Sequence, residues 1–226
     1  MIELLSLLMT LGIYLASRRA SSRLNNHPLL SPAVLSILVI SGILLLFHIP
    51  YQEYFQGARP IHYMLGPATV ALALPLYEQL SRLKKVLVPL CVSLVIGSII
   101  GIFSAVLIGA SFHLPHDILL SLAPKSVTTP IAMSVSEKIG GIASLSTVFV
   151  MITGLFGAAI ATTVLSLVRV HDPAVRGFAL GLSSHGLGTA RAFQVSSIAG
   201  AFAGLAMALN GLVTAIIIPL LLFLIP

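Results

Sequence analysis

The chain has 226 residues, 58% of them hydrophobic and only 8% charged, with a mean hydropathy of +1.09 and a formal net charge of +6. Soluble domains carry about 25% charged residues, so this composition cannot cover a water-facing surface, and the solvent it implies is lipid. One cysteine, Cys91, excludes a disulfide framework, and the basic residues sit in short loops without interleaved aromatics, which excludes a nucleic-acid surface.

In chain order, apolar runs fall at about Ile2–Ser17, Leu29–Pro50, Ile61–Leu80, Val86–Phe112, Ile118–Ser136, Gly141–Val168, Val175–Phe193 and Ser196–Pro226. The first has Glu3 ahead of its apolar core and Arg18, Arg19 and Arg23 behind it. A secretion signal has the reverse order, so this run reads as a retained span. The second, fourth, sixth and eighth runs meet the length of about 20 residues that a membrane crossing needs. The third, fifth and seventh are broken by Pro or Gly and carry rows of hydroxyls.

The expected fold is an all-α integral membrane protein, a polytopic helical bundle with Pro/Gly-broken or re-entrant half-helices. Arg18, Arg19 and Arg23 mark one cytoplasmic loop and Arg82, Lys84 and Lys85 another, with the amino terminus and Tyr51–Arg59 outside. Arg169 and Arg176 reach the cytoplasmic side as well only if one odd segment, most simply Ile118–Ser136, enters and leaves on the same side. "LGPATVALALP" from Leu65 and "LAPKSVTTPIA" from Leu122 align 57 residues apart, and the same offset joins Gly97 to Gly154 and then to Gly211. The organisation read from this is a single transmembrane domain over 1–226, with amino-terminal spans over 1–56 and a core over 57–226 holding repeats near 65–112 and 122–168. Repeats with broken helices that meet at mid-membrane typify secondary transporters.

The fifth segment carries the chemistry. In "LSLAPKSVTTPIAMSVSEKIGG", from Leu120 to Gly141, proline disfavours helical geometry in the residue before it, which pushes Ala123 and Thr129 towards extended conformations. Thr129 then suits an N-cap, Pro130 the first helical position, and Gly140–Gly141 the end of a helix of about 15 Å, half a bilayer. Its amino terminus points inward, where bare N–H groups and the positive dipole end favour an anion. Ser126, Thr128 and Thr129 add hydroxyls. Lys125 adds a cation that costs about 2.5–3.5 kcal/mol at the centre of a span. Together they suit a carboxylate or phosphate.

The seventh segment, "GFALGLSSHGLGTARAF", repeats this pattern: Gly181, Gly186 and Gly188 permit irregular backbone, Thr189 is placed to cap a following helix, and Arg191 lies in its first turn. Ser183, His185, Thr189 and Arg191 are read as the opposite half of the anion site, with His185 as the residue that takes a proton. Thr69 is the corresponding hydroxyl of the third segment. The spacing Gly181–Gly186 lacks the Gly-Lys of a phosphate loop, which excludes nucleotide binding. "HLPHD", His113 to Asp117, is weak as a metal site, and none is assigned. Asn210, deep in the last span, reads as an interhelical hydrogen bond. Ser184 and His185 are neighbours but do not make a triad, so neither catalysis nor a cofactor is expected.

"LGPATVALALPLY", "LAPKSVTTPIAM" and "SSHGLGTARAF" resemble the signature segments of the LrgB/CidB family, which includes YohK-like proteins and the carboxyl-terminal half of the plastidial glycolate/glycerate translocator. The resemblance covers nearly the whole chain from about Gly57. It implies a bacterial inner-membrane protein of one of two kinds. One is a transporter of small monocarboxylates such as glycolate, glycerate and pyruvate. The other is an antiholin- or holin-like regulator of murein hydrolase export and autolysis, acting through homo-oligomers or with a small LrgA/CidA-type membrane partner. The residues themselves point to an anion; only the resemblance makes it a small carboxylate.

Overall fold

All regular structure among the described residues (2–23, 30–64, 67, 70–71 and 73–221) is helical in the computed structural model, and it forms two units, Met1–Leu72 and Ala73–Pro226. In the first unit α1 (Ile2–Arg23) packs against both α2 (Pro32–Leu46) and α3 (Tyr51–Tyr63). Thr10 Oγ1 and Tyr54 Oη share a 2.8 Å hydrogen bond across the α1–α3 seam. The run Leu29–Pro50 was long enough for a full crossing, yet its helix has only 15 residues, about 22 Å. It stops because His48 takes a left-handed φ of 52° and the Ile49 N–H turns back to the Leu44 carbonyl at 2.9 Å. Pro50 follows, with no N–H to continue a helix.

The second unit begins with two short helices, α4 (Ala73–Glu78) and α5 (Leu80–Lys85), and continues through α6 (Leu87–Ser111), α7 (His116–Leu122), α8 (Thr129–Ile139), α9 (Ala143–Leu167), α10 (Pro173–Val195) and α11 (Ser197–Leu220). Among the described helices α6, α9 and α11 are long and apolar enough to cross a membrane. Between them the chain folds back on itself twice.

The first fold-back joins α7 to α8. Near the end of α7, Ser121 Oγ accepts a hydrogen bond from the Ile142 N–H at 2.7 Å, and the Ser121 carbonyl accepts one from Ser146 Oγ at 2.8 Å. The chain therefore leaves the level of Ser121, turns through residues 123–128, and climbs back along α8 to where it left. Gly140, at φ 89°, ends α8 in the left-handed conformation that glycine adopts without strain. Two local expectations are corrected here. Ala123 is helical (φ −51°, ψ −47°) rather than extended, because its N–H continues the α7 ladder to the Leu119 carbonyl at 3.1 Å. The cap is Thr128 (φ −66°, ψ 148°), not Thr129, and its side chain makes no capping bond. Its carbonyl already accepts the Ala132 N–H at 2.9 Å, so Thr129 is the first helical residue despite preceding proline.

The second fold-back lies inside α10. Ser184 (φ −130°, ψ 15°) and His185 (φ 41°, ψ −130°) leave helical geometry. A Cβ added to Gly188 would lie 3.1 Å from the Leu180 carbonyl carbon, whereas eight residues of straight helix separate two such positions by about 12 Å. The arm before the break runs parallel to α11, with Gly177 against Ala199 and Gly181 against Ala203, and the arm after it returns to place Ala192 on Leu180 and Ala199. Thr189 is therefore no cap. It lies inside an arm that starts at Gly186, and Arg191 falls in that arm's second turn.

Leu90, Ala174 and Phe202, near the starts of α6, α10 and α11, pack together at one end of the unit. Ile102, Val106, Leu119, Leu120, Ile139 and Ile218 pack at the other. Helices α6 and α11 thus run one way and α9 runs back. The α7–α8 hairpin enters from one end and the α10 hairpin from the opposite one. Lys84 and Lys85, ahead of α6, share an end with Arg169 and Arg176, which the positive-inside bias makes cytoplasmic. Helices α6 and α9 have 25 residues each and start at 87 and 143, 56 apart; α7 and α10 start at 116 and 173, 57 apart. Two span-plus-hairpin units of opposite direction result.

Candidate functional site

Each hairpin ends where its sequence has no means of continuing a helix, at "PKSVT" in one and "SSHG" in the other. Helix α9 is notched to receive the second tip. A Cβ on Gly154 would lie 2.5 Å from His185 Cε1, and one on Gly157 would lie 2.8 Å from Ser184 Cβ. On the other flank, a Cβ on Gly97 of α6 would lie 2.5 Å from Leu182 Cδ2. Small residues let the backbones approach, and van der Waals packing holds the seam where lipid gives no hydrophobic drive.

The tips meet at Asn210, which is 2% exposed in the middle of α11. Its Nδ2 donates to the Ser126 carbonyl at 3.2 Å and to the Leu182 carbonyl at 3.0 Å, one from each hairpin. Its Oδ1 accepts from Thr214 Oγ1 at 3.3 Å and faces Ser98 Oγ at 2.7 Å. Ser98 Oγ also lies 2.7 Å from the Leu94 carbonyl, so its single proton serves one acceptor at a time.

Beside Asn210 is a cavity of about 130 Å³, lined by Ser98, Lys125, Ser126, Ser183, Asn210 and Thr214 together with apolar wall from Ile102, Ala123 and Leu182. A cavity of about 150 Å³ is known to hold a solute the size of benzene. The space therefore suits a molecule of a few non-hydrogen atoms and no cofactor. Lys125 Nζ donates to Ser126 Oγ at 3.2 Å, and no carboxylate lines the cavity. An ammonium in such a place has hydroxyls but no protein anion around it, which favours an anionic guest. The amino-terminal end of α8 opens towards the same tip and adds its dipole.

Of the residues singled out in the sequence, Lys125, Ser126 and Ser183 come together in the cavity wall, whereas Thr128 and Thr129, at the start of α8, are not among its lining residues. His185 turns away from the cavity: its Nε2 is 2.9 Å from the Val150 carbonyl on α9. A carbonyl only accepts, so Nε2 carries the proton. Thr189 Oγ1 donates to the His185 carbonyl at 2.9 Å, and Arg191 Nη1 to Gln194 Oε1 at 2.9 Å. Thr69 lies outside the described residues. Ser98 and Thr214 escaped the sequence reading, whereas Asn210 was read as an interhelical hydrogen bond and makes such bonds to Ser98 and Leu182. The available signal was spacing: Asn210 and Thr214 are one helical turn apart, and Ser98 adjoins Gly97 in the 57-residue series. Among the described residues no cluster of three or more His, Cys, Asp or Glu side chains stands ready for a metal ion.

The model of the LrgB-like family matches residues 10–224. The uncharacterized protein YwbG of Bacillus subtilis is 40% identical over 221 residues, covering 98% of both chains. YxaC of the same organism is 34% identical over 223 residues, 99% of this chain and 96% of its own. The holin-like protein CidB of Staphylococcus aureus is 30% identical over 221 residues, 98% of this chain and 96% of its own. No solved structure matches.

Proposed function

We propose, from the premise that this chain belongs to the LrgB-like family and is a bacterial integral membrane protein, that it is a secondary carrier of small monocarboxylates. The observation that carries this reading is the Lys125 ammonium in a small cavity between the tips of two hairpins that enter from opposite ends. A nonselective lesion needs no such site, whereas alternating access does. Lys125 pairs with the carboxylate, Ser126 and Ser183 donate to it or to a neighbouring hydroxyl, and Thr128 and Thr129 present the start of α8. The cavity volume favours two- and three-carbon acids of the glycolate, glycerate and pyruvate type. In the same reading His185, Thr189 and Arg191 support the second hairpin, and His185 is a site for coupled protonation.

The holin-like name of the CidB relatives favours a second reading: a holin- or antiholin-like regulator of murein hydrolase release, working as an oligomer or with an LrgA/CidA-type partner. Proteoliposomes separate the two. A carrier takes up labelled glycolate or pyruvate, saturates, and keeps co-loaded sucrose inside. A holin-like pore releases sucrose and discriminates poorly among acids. Sucrose loss without saturable acid uptake, from correctly inserted protein, defeats the carrier reading.

A further inference from the structure

The cavity has two movable walls, and a single side chain holds both. Asn210 Nδ2 has two protons, and each is spent on a backbone carbonyl at a different hairpin tip, Ser126 at 3.2 Å and Leu182 at 3.0 Å. Its Oδ1 is held in turn by Thr214 and Ser98, so the amide is fixed in orientation from α11 and α6. The Ser126 carbonyl belongs to a turn and the Leu182 carbonyl to the last helical turn before the break at Ser184 and His185, and among the described residues no other hydrogen bond joins the two tips.

We propose that Asn210 is a positioning residue, a clasp that ties the two hairpin tips to one another and closes the cavity, so that neither tip moves without breaking a bond to the same amide. The linkage stands on this geometry; its meaning as a transport gate rests on the carrier reading. A symmetric pair of doors that must never open together needs a common element that senses both. An amide with two donors shared between two tips is such an element, because freeing one carbonyl leaves the other bond, and the Oδ1 anchors, to hold the closed door.

The test is thiol protection at the tips. Val127 and Ser184 are both 1% exposed, so a cysteine at either is shielded while the clasp holds. In a Cys91→Ser background, Val127→Cys and Ser184→Cys proteins are treated in membranes with a small impermeant methanethiosulfonate from each side. Asn210→Ala should raise the labelling rate at both positions by about two- to tenfold, the change that the loss of a net hydrogen bond produces at about 1.4 kcal/mol per decade. Asn210→Gln, which keeps both amide protons, should fall between Asn210→Ala and wild type. Gly181→Ala, which disturbs only the second hairpin, should raise labelling at residue 184 alone. Should Asn210→Ala not insert, Thr214→Val, which removes one Oδ1 anchor and leaves the amide in place, should lower hydrogen-exchange protection in both segments, 123–128 and 182–185.

Labelling that rises at one tip only in Asn210→Ala, or at both in Gly181→Ala, overturns the clasp, as does a loss of protection confined to one segment in Thr214→Val. Failure of wild-type protein to take up any acid, with linked labelling intact, removes the carrier reading and leaves the clasp. Intact uptake with unlinked tips does the reverse.

Discussion

Gly181→Ala tests the second fold-back directly. A Cβ at this position would lie 2.7 Å from both the Cα and the carbonyl carbon of Ala203, and closer still to its oxygen. Carbon atoms pack best at about 3.5–4.0 Å, so the first arm of α10 must back away from α11 by about 1 Å. The obstacle is backbone on both sides, and no side chain can rotate to absorb it. Overpacking of this kind costs about 1–3 kcal/mol, offset in part by the ~0.5–1 kcal/mol that alanine gains over glycine within a helix. Gly42→Ala on α2 is the matched control: nothing lies within 4 Å of its added Cβ, so only the gain applies. The two variants should therefore differ by about 1–3 kcal/mol, or roughly 2–12 °C at about 2–4 °C per kcal/mol. Thermal loss of helical circular dichroism in detergent measures the gap. If Gly181→Ala melts at or above Gly42→Ala, the arm does not lie on α11 and the hairpin is wrongly placed.

Three further outcomes follow from the same geometry. Lys125→Met keeps the aliphatic stem and removes the charge; a charge-assisted bond is worth about 1.5–3 kcal/mol, so glycolate at about one hundred times the wild-type Kd, which stabilises by about 2.7 kcal/mol, should add only about 0.3–1.3 kcal/mol to the variant. An undiminished thermal shift removes Lys125 from the site. His185→Gly should melt above His185→Ala, because both lose the bond to Val150 but only glycine relieves the φ of 41°, a strain of about 1–3 kcal/mol; the reverse order would mean that the backbone there is relaxed. In a Cys91→Ser background, Lys138→Cys should react with impermeant reagent from outside and His171→Cys from the cytoplasm, and reaction of both from one side would refute opposed hairpins.

Much of the architecture was legible because each relevant signal is local. Pro124 and Pro130 around a row of hydroxyls announce a turn that lipid cannot solvate, and two arginines at 169 and 176 ask for an even number of crossings between them and the basic Arg82–Lys85 loop. The offset of 57 residues also reflects chain-local periodicity, and it is the spacing between the starts of α7 and α10. Cap positions were less legible. Thr128 displaces Thr129 because the Ala132 N–H selects the carbonyl one residue earlier, a choice that pre-proline preference does not govern. The site itself was half visible. Lys125 and Ser126 stand out against an apolar background, whereas Ser98 and Thr214 resemble any small polar residue that bonds back to its own helix. Asn210 was read as an interhelical hydrogen bond, which its bonds to Ser98 and Leu182 are, but its carbonyl partners, 84 and 28 residues away, carry no side-chain signature that would have named them. His185 and Arg191 looked equivalent to Lys125 by composition. The break at Ser184 points the imidazole towards α9 instead, and no pattern in the residues foretells that rotation.

Lys125 belongs to a hairpin and not to one of the long spans, which has an electrical consequence. Any displacement of that tip along the membrane normal moves a formal unit charge through the transmembrane field, at about 2.3 kcal/mol per 100 mV for a full traverse. A monoanion seated beside the ammonium neutralises the moving body. In the carrier reading the occupied tip is then indifferent to voltage while the vacant one is driven by it, so the resting potential would act on the return stroke alone.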